Sequence, residues 1–127
     1  SGAIARFDGF SIAALNGTLA GGAFGMALAC DLRISVPTAK FFYPVMKLGF
    51  LPQPSDPVRM RALIGPSRTK LILMAGQKIR ADEALAMGLI DRIVSIDDFD
   101  TTLETLTQDV IAASPQQIAG IKRLVDE

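Results

Sequence analysis

The sequence predicts an α/β fold whose short strands lie in the first third of the chain and whose helices follow. Half of the 127 residues are apolar and a fifth are charged, which is typical of one ordinary globular domain. Short apolar runs with β-branched and aromatic members come early, and stretches with helix-forming and capping residues come later. Three or four short strands make a thin sheet for so many apolar helices.

The first elements are predicted from apolar runs and from the turns that end them. Residues 10–15 (FSIAAL) indicate a buried strand, which the pair Asn16-Gly17 closes. Small and helix-forming side chains indicate a buried helix at about 22–30. The alternation in 31–35 predicts a half-exposed strand, and residues 40–43 predict another strand.

The rest of the chain predicts an ordered loop followed by helices. Residues 44–57 carry four prolines, which indicates little regular structure. Asp56 and Pro57 have the residue types of an N-cap and a first helical position, and this helix should end before Gly65. An extended segment is predicted at 89–94, and further helices are predicted at 68–75, 81–87, 98–114 and from Pro115 onward.

Charge and residue content exclude several kinds of function. Thirteen basic and thirteen acidic residues leave no net charge, so no broad field favours nucleic acid or an anionic membrane as a partner. The chain has no histidine, so neither a Ser-His-Asp nor a Cys-His arrangement can form within it. The single cysteine, Cys30, excludes an internal disulfide and a Cys-rich zinc site, and no carboxylate cluster suggests a metal.

Neither a membrane span nor a signal peptide is predicted. The longest apolar run, residues 19–30, is short of the ~20 residues that a helix needs to span a bilayer. No charged segment precedes an apolar one at the amino end. We therefore expect a cytoplasmic protein with no membrane partner.

A glycine pair between a predicted strand and a predicted helix is the leading candidate site. Gly21 and Gly22 permit positive φ and the close approach of a ligand, and the helix directs its N–H groups and positive dipole end at them. A carbonyl or enolate oxygen held there would be stabilised, by about 3–4 kcal/mol for one well-placed donor. On the loop alone, tight helix–strand packing explains the glycines equally well. The GxGxxG spacing of a dinucleotide site is absent.

Three consecutive segments resemble the enoyl-CoA hydratase/isomerase (crotonase) family. NGTLAGGAFGMALACDLRIS is similar to the family pattern NG-x-x-x-GGG-x-x-L-x-x-x-CD, and AKFFYPVMKLGFLPQPSDP is similar to A-x-F-x-x-PE-x-x-LG-x-x-P. Residues 64–94 are similar to the LTG and GLV tract of the family. The resemblance implies a spiral of ββα units, with 1–95 as the carboxyl-terminal part of the core and 96–127 as a helical segment.

The resemblance also implies the chemistry of the ligand. Members act on acyl-CoA thioesters, with coenzyme A as part of the substrate and no other cofactor, and they assemble as homotrimers or dimers of trimers. Two backbone N–H groups hold the thioester carbonyl in an oxyanion hole. The motif match assigns one N–H to Gly22, with Gly21 beside it in the substrate site. The other donor belongs to the amino-terminal half of the family, which this sequence lacks.

The acids that the resemblance implies are absent from their matching positions. Gly25 and Val45 stand where hydratases of the family carry glutamates, and Gln53 stands where a third variant carries an aspartate. A syn hydration needs a base to activate water and an acid to protonate the α-carbon. Neither Gly25 nor Val45 can do either, so ordinary two-glutamate hydration is rejected.

Three polar residues remain as candidates near the expected pocket. Asp56 offers a carboxylate, although an N-cap role is the favoured interpretation. Tyr43 offers a proton, although a packed aromatic with its hydroxyl at the surface is favoured. Gln53 would orient water or the acyl group as a substrate-binding residue.

Two functions stay open. One is an enzyme with divergent catalytic residues that works through a thioester enolate or oxyanion, by isomerisation, by hydration of an unusual acyl group or by a lyase step. The other is a catalytically silent member of the fold that serves acyl-CoA binding or oligomeric assembly.

Overall fold

The computed structural model describes residues 2–127, which form two three-stranded sheets and the helices around them. The strands are β1 (Ile12–Leu15), β2 (Leu19–Ala20), β3 (Leu32–Ser35), β4 (Lys40–Phe42), β5 (Ile79–Arg80) and β6 (Arg92–Ile93). The helices are α1 (Gly2–Ala5), α2 (Gly21–Leu28), α3 (Val45–Leu48), α4 (Ser55–Leu73), α5 (Ala81–Met87), α6 (Phe99–Ala112) and α7 (Pro115–Asp126).

Three of the four strand pairings among the described residues are parallel. β1 pairs in parallel with β3, with Ile12 opposite Leu32, and β6 pairs in parallel with the other edge of β3. In the second sheet β4 pairs in parallel with β2 and antiparallel with β5. Parallel neighbours need a crossover connection, and the crossover from β1 to β3 contains β2 and α2. The predicted α/β class is confirmed, and the division at residues 95 and 96 stays a prediction.

The strand predicted to be half-exposed at 31–35 is a buried one. Arg33 is only 4% exposed, and its guanidinium donates to the carbonyl oxygens of Ala27, Cys30 and Leu89. A carboxylate oxygen of Asp91 lies 3.8 Å from the same guanidinium. The alternation rule placed the arginine in solvent, whereas these partners satisfy it inside and join β3 to the end of α2.

The proline-rich loop and the helix after it differ in part from the prediction. Residues 44–57 contain the short helix α3, which ends at Gly49 in the left-handed region with φ 78°. The predicted break before Pro66 is present as a kink inside α4, where Gly65 has φ 85° and ψ 169°. The loop is therefore more regular than its prolines indicate. The two helices predicted around Gly65 form one kinked helix, α4.

The last helix begins as the sequence predicts, and its cap can be tested. Ser114 is the N-cap of α7 and its Oγ accepts a hydrogen bond of 3.1 Å from the Gln117 N–H. We expect Ser114→Ala to lower the free energy of unfolding by about 1 kcal/mol, measured by urea denaturation, because one first-turn N–H loses its acceptor. Ser67→Ala, which alters an exposed serine of α4, is the control and should change stability less.

Candidate active site

The glycine pair lies where β2 passes directly into α2. Ala20 is extended with φ −141°, and Gly21 turns the chain with φ 57°, a left-handed conformation that a side chain would strain. Gly21 and Gly22 are the first two residues of α2, and N–H groups of a first turn have no acceptor within their own helix. A Cβ built on either glycine meets no atom within 4 Å, so the space in front of both is open.

Both glycines line a cavity of about 300 Å³. Gly21 and Gly22 form one side of it, and Tyr43 and Gln53 also line it. The remaining lining is apolar and comes from α3 and the segment around it: Pro44, Val45, Leu48, Phe50, Leu51 and Pro52. The structure thus brings four of the five predicted site residues to one cavity.

The fifth residue, Asp56, is not among the described residues that line the cavity, and it is hydrogen-bonded to Tyr43. The Tyr43 hydroxyl donates to Asp56 Oδ2 at 2.6 Å, and the two residues are 4% and 1% exposed. The surface hydroxyl predicted for Tyr43 is therefore wrong. The ring itself packs beside Phe24, with 6.0 Å between centroids, so α2 fixes the position of the phenol.

The N-cap role predicted for Asp56 is also wrong. α4 begins one residue earlier, at Ser55, and its N-cap residue Pro54 makes no side-chain cap. Asp56 lies in the first turn with its carboxylate directed inward at Tyr43. The second oxygen, Oδ1, is buried and has no hydrogen-bond partner among the described residues.

The environment of Tyr43 holds it in the neutral form. Burial, followed by the hydrogen bond to Asp56 and the charge of that residue, raises the pKa of Tyr43 to about 12. The backbone of Gln53 acts in the opposite direction and lowers the pKa of Tyr43. Because the pKa lies well above neutrality, the phenol keeps its proton at physiological pH.

Gly25 explains how a carboxylate fits beneath α2. A Cβ on Gly25 would overlap Asp56 Oδ2 and would lie 2.7 Å from Oδ1 and 2.8 Å from Cγ. The position that lacks a glutamate is therefore filled by the carboxylate of a residue 31 places later. No local sequence pattern predicts this contact, because Gly25 and Asp56 become neighbours only when α2 packs against α4.

A second cavity of about 460 Å³ contains none of these residues. It lies between α6, α7 and the start of the chain, and its lining is mainly apolar. The Lys122 ammonium lies 3.0 Å from Asp31 at this cavity and donates to the Gly9 carbonyl oxygen, which fastens α7 to the amino-terminal segment. Within residues 2–127, no helix has the length and apolar content needed to cross a bilayer.

Comparisons with known proteins identify a family model and relatives that this chain resembles. Residues 3–127 match the family model described as enoyl-CoA hydratase/isomerase. A carnitinyl-CoA dehydratase of Salmonella typhi is 34% identical over 113 residues, which are 89% of this chain and 43% of that protein. The chain therefore spans less than half the length of this relative.

Solved structures also match this chain over about half of their own length. Pseudomonas aeruginosa DspI matches with a TM-score of 0.90 and 32% identity over 98% of this chain and 47% of that chain. A proposed enoyl-CoA hydratase of Thermobifida fusca, solved with acetoacetyl-CoA, matches with a TM-score of 0.89 and 29% identity, over 96% of this chain and 48% of that one. These likenesses confirm the predicted spiral fold.

Proposed function

We propose, since this chain belongs to the enoyl-CoA hydratase/isomerase family, that its glycine loop binds an acyl-CoA thioester and stabilises negative charge on the thioester oxygen. The observation that carries the proposal is the start of α2, whose first two residues, Gly21 and Gly22, open onto a cavity. N–H groups and the positive end of the helix dipole favour an oxygen that gains charge during a reaction. Gly22 supplies one donor of this oxyanion hole.

The rest of the cavity suits an acyl group. Its walls beyond the glycines are apolar, and Leu48, Phe50 and Leu51 are 60%, 58% and 89% exposed. Burying such surface against an acyl chain is favourable by roughly 25 cal/mol per Å². Gln53 lines the same cavity and is proposed to orient the acyl group or a water molecule. The Thermobifida fusca relative was solved with acetoacetyl-CoA, which supports a thioester as the ligand.

The reaction we propose passes through a thioester enolate or oxyanion. Isomerisation, hydration of an unusual acyl group and a related lyase step all share that intermediate. Coenzyme A enters as part of the substrate, and the proposal needs no other cofactor. Gly25 and Val45 cannot transfer protons, so the two-glutamate mechanism is not proposed. The same two residues favour the second candidate, a silent member that binds acyl-CoA without converting it.

Assembly is part of the proposal. Large apolar side chains of α6 and α7 are open to solvent, among them Ile111 at 79%, Leu124 at 77% and Val125 at 76% exposure. Such residues support burial between subunits, as in the homotrimer or dimer of trimers that the resemblance implies. The cytoplasmic location stays the prediction made from the sequence.

One experiment separates the candidates. The full-length protein is titrated with acetoacetyl-CoA and, as a control, with free coenzyme A in a calorimeter, and turnover of crotonyl-CoA and longer enoyl-CoA thioesters is followed in parallel. We expect acetoacetyl-CoA to bind more tightly than coenzyme A, because only the thioester places an oxygen at the glycine loop. Turnover supports the enzyme, and binding without turnover supports the silent member. No binding of any thioester contradicts the proposed site.

A further inference from the structure

We propose that Tyr43 and Asp56 form a proton relay for the α-carbon of the thioester held at the glycine loop. The inference rests on the proposed function, from which it takes the ligand. It gives the acid–base role to a pair that the family pattern does not contain, in a chain where Gly25 and Val45 hold no acid. Tyr43 contacts the ligand as the catalytic residue, and Asp56 acts through it as a positioning residue.

Tyr43 lies between the cavity and Asp56. Tyr43 lines the cavity together with Gly21 and Gly22, whereas Asp56 is not among the described residues that line it. The phenol donates its only hydroxyl proton to Asp56 Oδ2 at 2.6 Å. The backbone of Gln53 also acts on this oxygen, which leaves the phenol oxygen a further lone pair to accept a proton from another direction. A proton that leaves the ligand would reach Asp56 by way of Tyr43.

The Asp56 carboxylate is buried with one of its oxygens unpartnered among the described residues. Asp56 is 1% exposed, and its Oδ1 has no hydrogen-bond partner among the described residues. A buried carboxylate oxygen without a partner is unfavourable, and such exceptions in native structures call for an explanation. The charge has no Lys or Arg partner among the described ion pairs, so the pair is not a structural salt bridge. A proton-accepting role explains why a carboxylate occupies this buried position.

Two adjacent residues of α2 fix the positions of Tyr43 and Asp56. Phe24 packs beside the Tyr43 ring with 6.0 Å between centroids. Gly25, one residue further along α2, leaves the space that the Asp56 carboxylate occupies, and any Cβ there would collide with it. The helix that begins with the proposed oxyanion donor thus also fixes the two members of the relay.

The proton transfer balances without any added reactant. The α C–H bond of the thioester breaks and its proton moves to the Tyr43 oxygen, while the phenol proton moves to Asp56 Oδ2. The electron pair of the C–H bond becomes the enolate double bond, and the negative charge passes to the thioester oxygen at Gly22. The reverse sequence protonates the α-carbon. The raised pKa of Tyr43, about 12, disfavours a free phenolate, which favours the paired transfer over ionisation of Tyr43 alone.

Exchange of the α-proton tests the relay directly. The protein is incubated with butyryl-CoA in deuterated water, and deuterium uptake at the α-carbon is measured by mass spectrometry for the wild type, Tyr43→Phe and Asp56→Asn. We expect exchange to fall about 100-fold or more in both variants, the contribution that a positioned acid or base makes. Butyryl-CoA binding, followed by calorimetry, should change little because the glycine loop is intact. Asp100→Asn removes an exposed first-turn aspartate of α6 and is the matched control.

An optical titration checks independently that the Asp56 carboxylate acts on the Tyr43 hydroxyl, as the hydrogen bond between them implies. Tyr43 is the only tyrosine in the 127 residues and there is no tryptophan, and the difference between wild-type and Tyr43→Phe spectra isolates its phenolate. The wild type should ionise near pH 12. Asp56→Asn should ionise at lower pH, because the carboxylate raises the pKa of Tyr43 both as acceptor and as charge. Circular dichroism defines the pH range in which the fold is intact.

The outcomes separate the relay from the site. Lost exchange with retained binding in Tyr43→Phe supports the relay, and this variant decides alone where Asp56→Asn fails to fold. Exchange unchanged in Tyr43→Phe, or a wild type that binds butyryl-CoA without exchanging it, overturns the relay and leaves the proposed binding function. An Asp56→Asn protein that folds and exchanges at the wild-type rate likewise overturns it. A wild type that does not bind butyryl-CoA overturns the proposed function, and the relay with it.

Discussion

Gly22→Pro should lower kcat/KM for the best enoyl-CoA substrate by about 100- to 1000-fold, the loss seen when one oxyanion donor is removed. The substitution deletes the backbone N–H that we assign to the thioester oxygen and leaves the other groups of the cavity in place. Gly22 is the second residue of α2, and proline is tolerated in the first turn of a helix. For a protein that binds without turnover, the same change should weaken binding of acetoacetyl-CoA.

The neighbouring residue offers a matched control for this prediction. Ala23 is exposed, lies in the same first turn and is not among the residues that line the cavity. Ala23→Pro removes an N–H from the same helix and should retain most of the activity. Circular dichroism and thermal unfolding of both variants measure the shared structural cost of proline. Equal losses of activity in the two variants would contradict the assignment of the donor to Gly22.

Local signals were enough to find the glycine loop. The predicted strand, the two glycines and the run of small helix-forming residues correspond to β1, Gly21 and α2 in that order, whereas the two-residue strand β2 between them was not predicted. Helix α5 was predicted with both ends correct, because Gly88 adopts the left-handed conformation, φ 90°, that ends the helix. Rules of this kind depend on neighbours in sequence, which the sequence displays directly.

Such local rules do not predict the contact between Tyr43 and Asp56. An aspartate before proline at a helix start is an N-cap by local statistics, yet Asp56 turns inward because a buried phenol donates to it. Tyr43 was expected to reach solvent, yet Phe24 and α4 enclose it. The prediction from local alternation fails in the same way for Arg33 in β3, where three carbonyl oxygens accept hydrogen bonds from the buried guanidinium and compensate for burial of its charge. In each case a partner distant in sequence overrides the local preference.

The contact between Gly25 and Asp56 predicts a mutation whose effect changes sign with its background. In the wild type, Gly25→Ala should lower the free energy of unfolding by about 1–3 kcal/mol, the usual range for overpacking, because its methyl group would collide with the Asp56 carboxylate. In an Asp56→Ala background the carboxylate is gone. There, Gly25→Ala should raise the free energy of unfolding by up to about 1 kcal/mol, since alanine favours a helix interior over glycine.

Urea denaturation of the four proteins gives the coupling between the two positions as a double-mutant cycle. Gly120→Ala is the matched control, because Gly120 lies inside α7 and a Cβ there meets no atom within 4 Å. It should stabilise the wild type and the Asp56→Ala protein alike, through helix propensity alone. If Gly25→Ala instead has the same effect in both backgrounds, then Asp56 does not occupy the space at Gly25. A sign reversal confined to Gly25 means that the Asp56 carboxylate requires a glycine at position 25, and that this position has no room for a side chain while Asp56 is present.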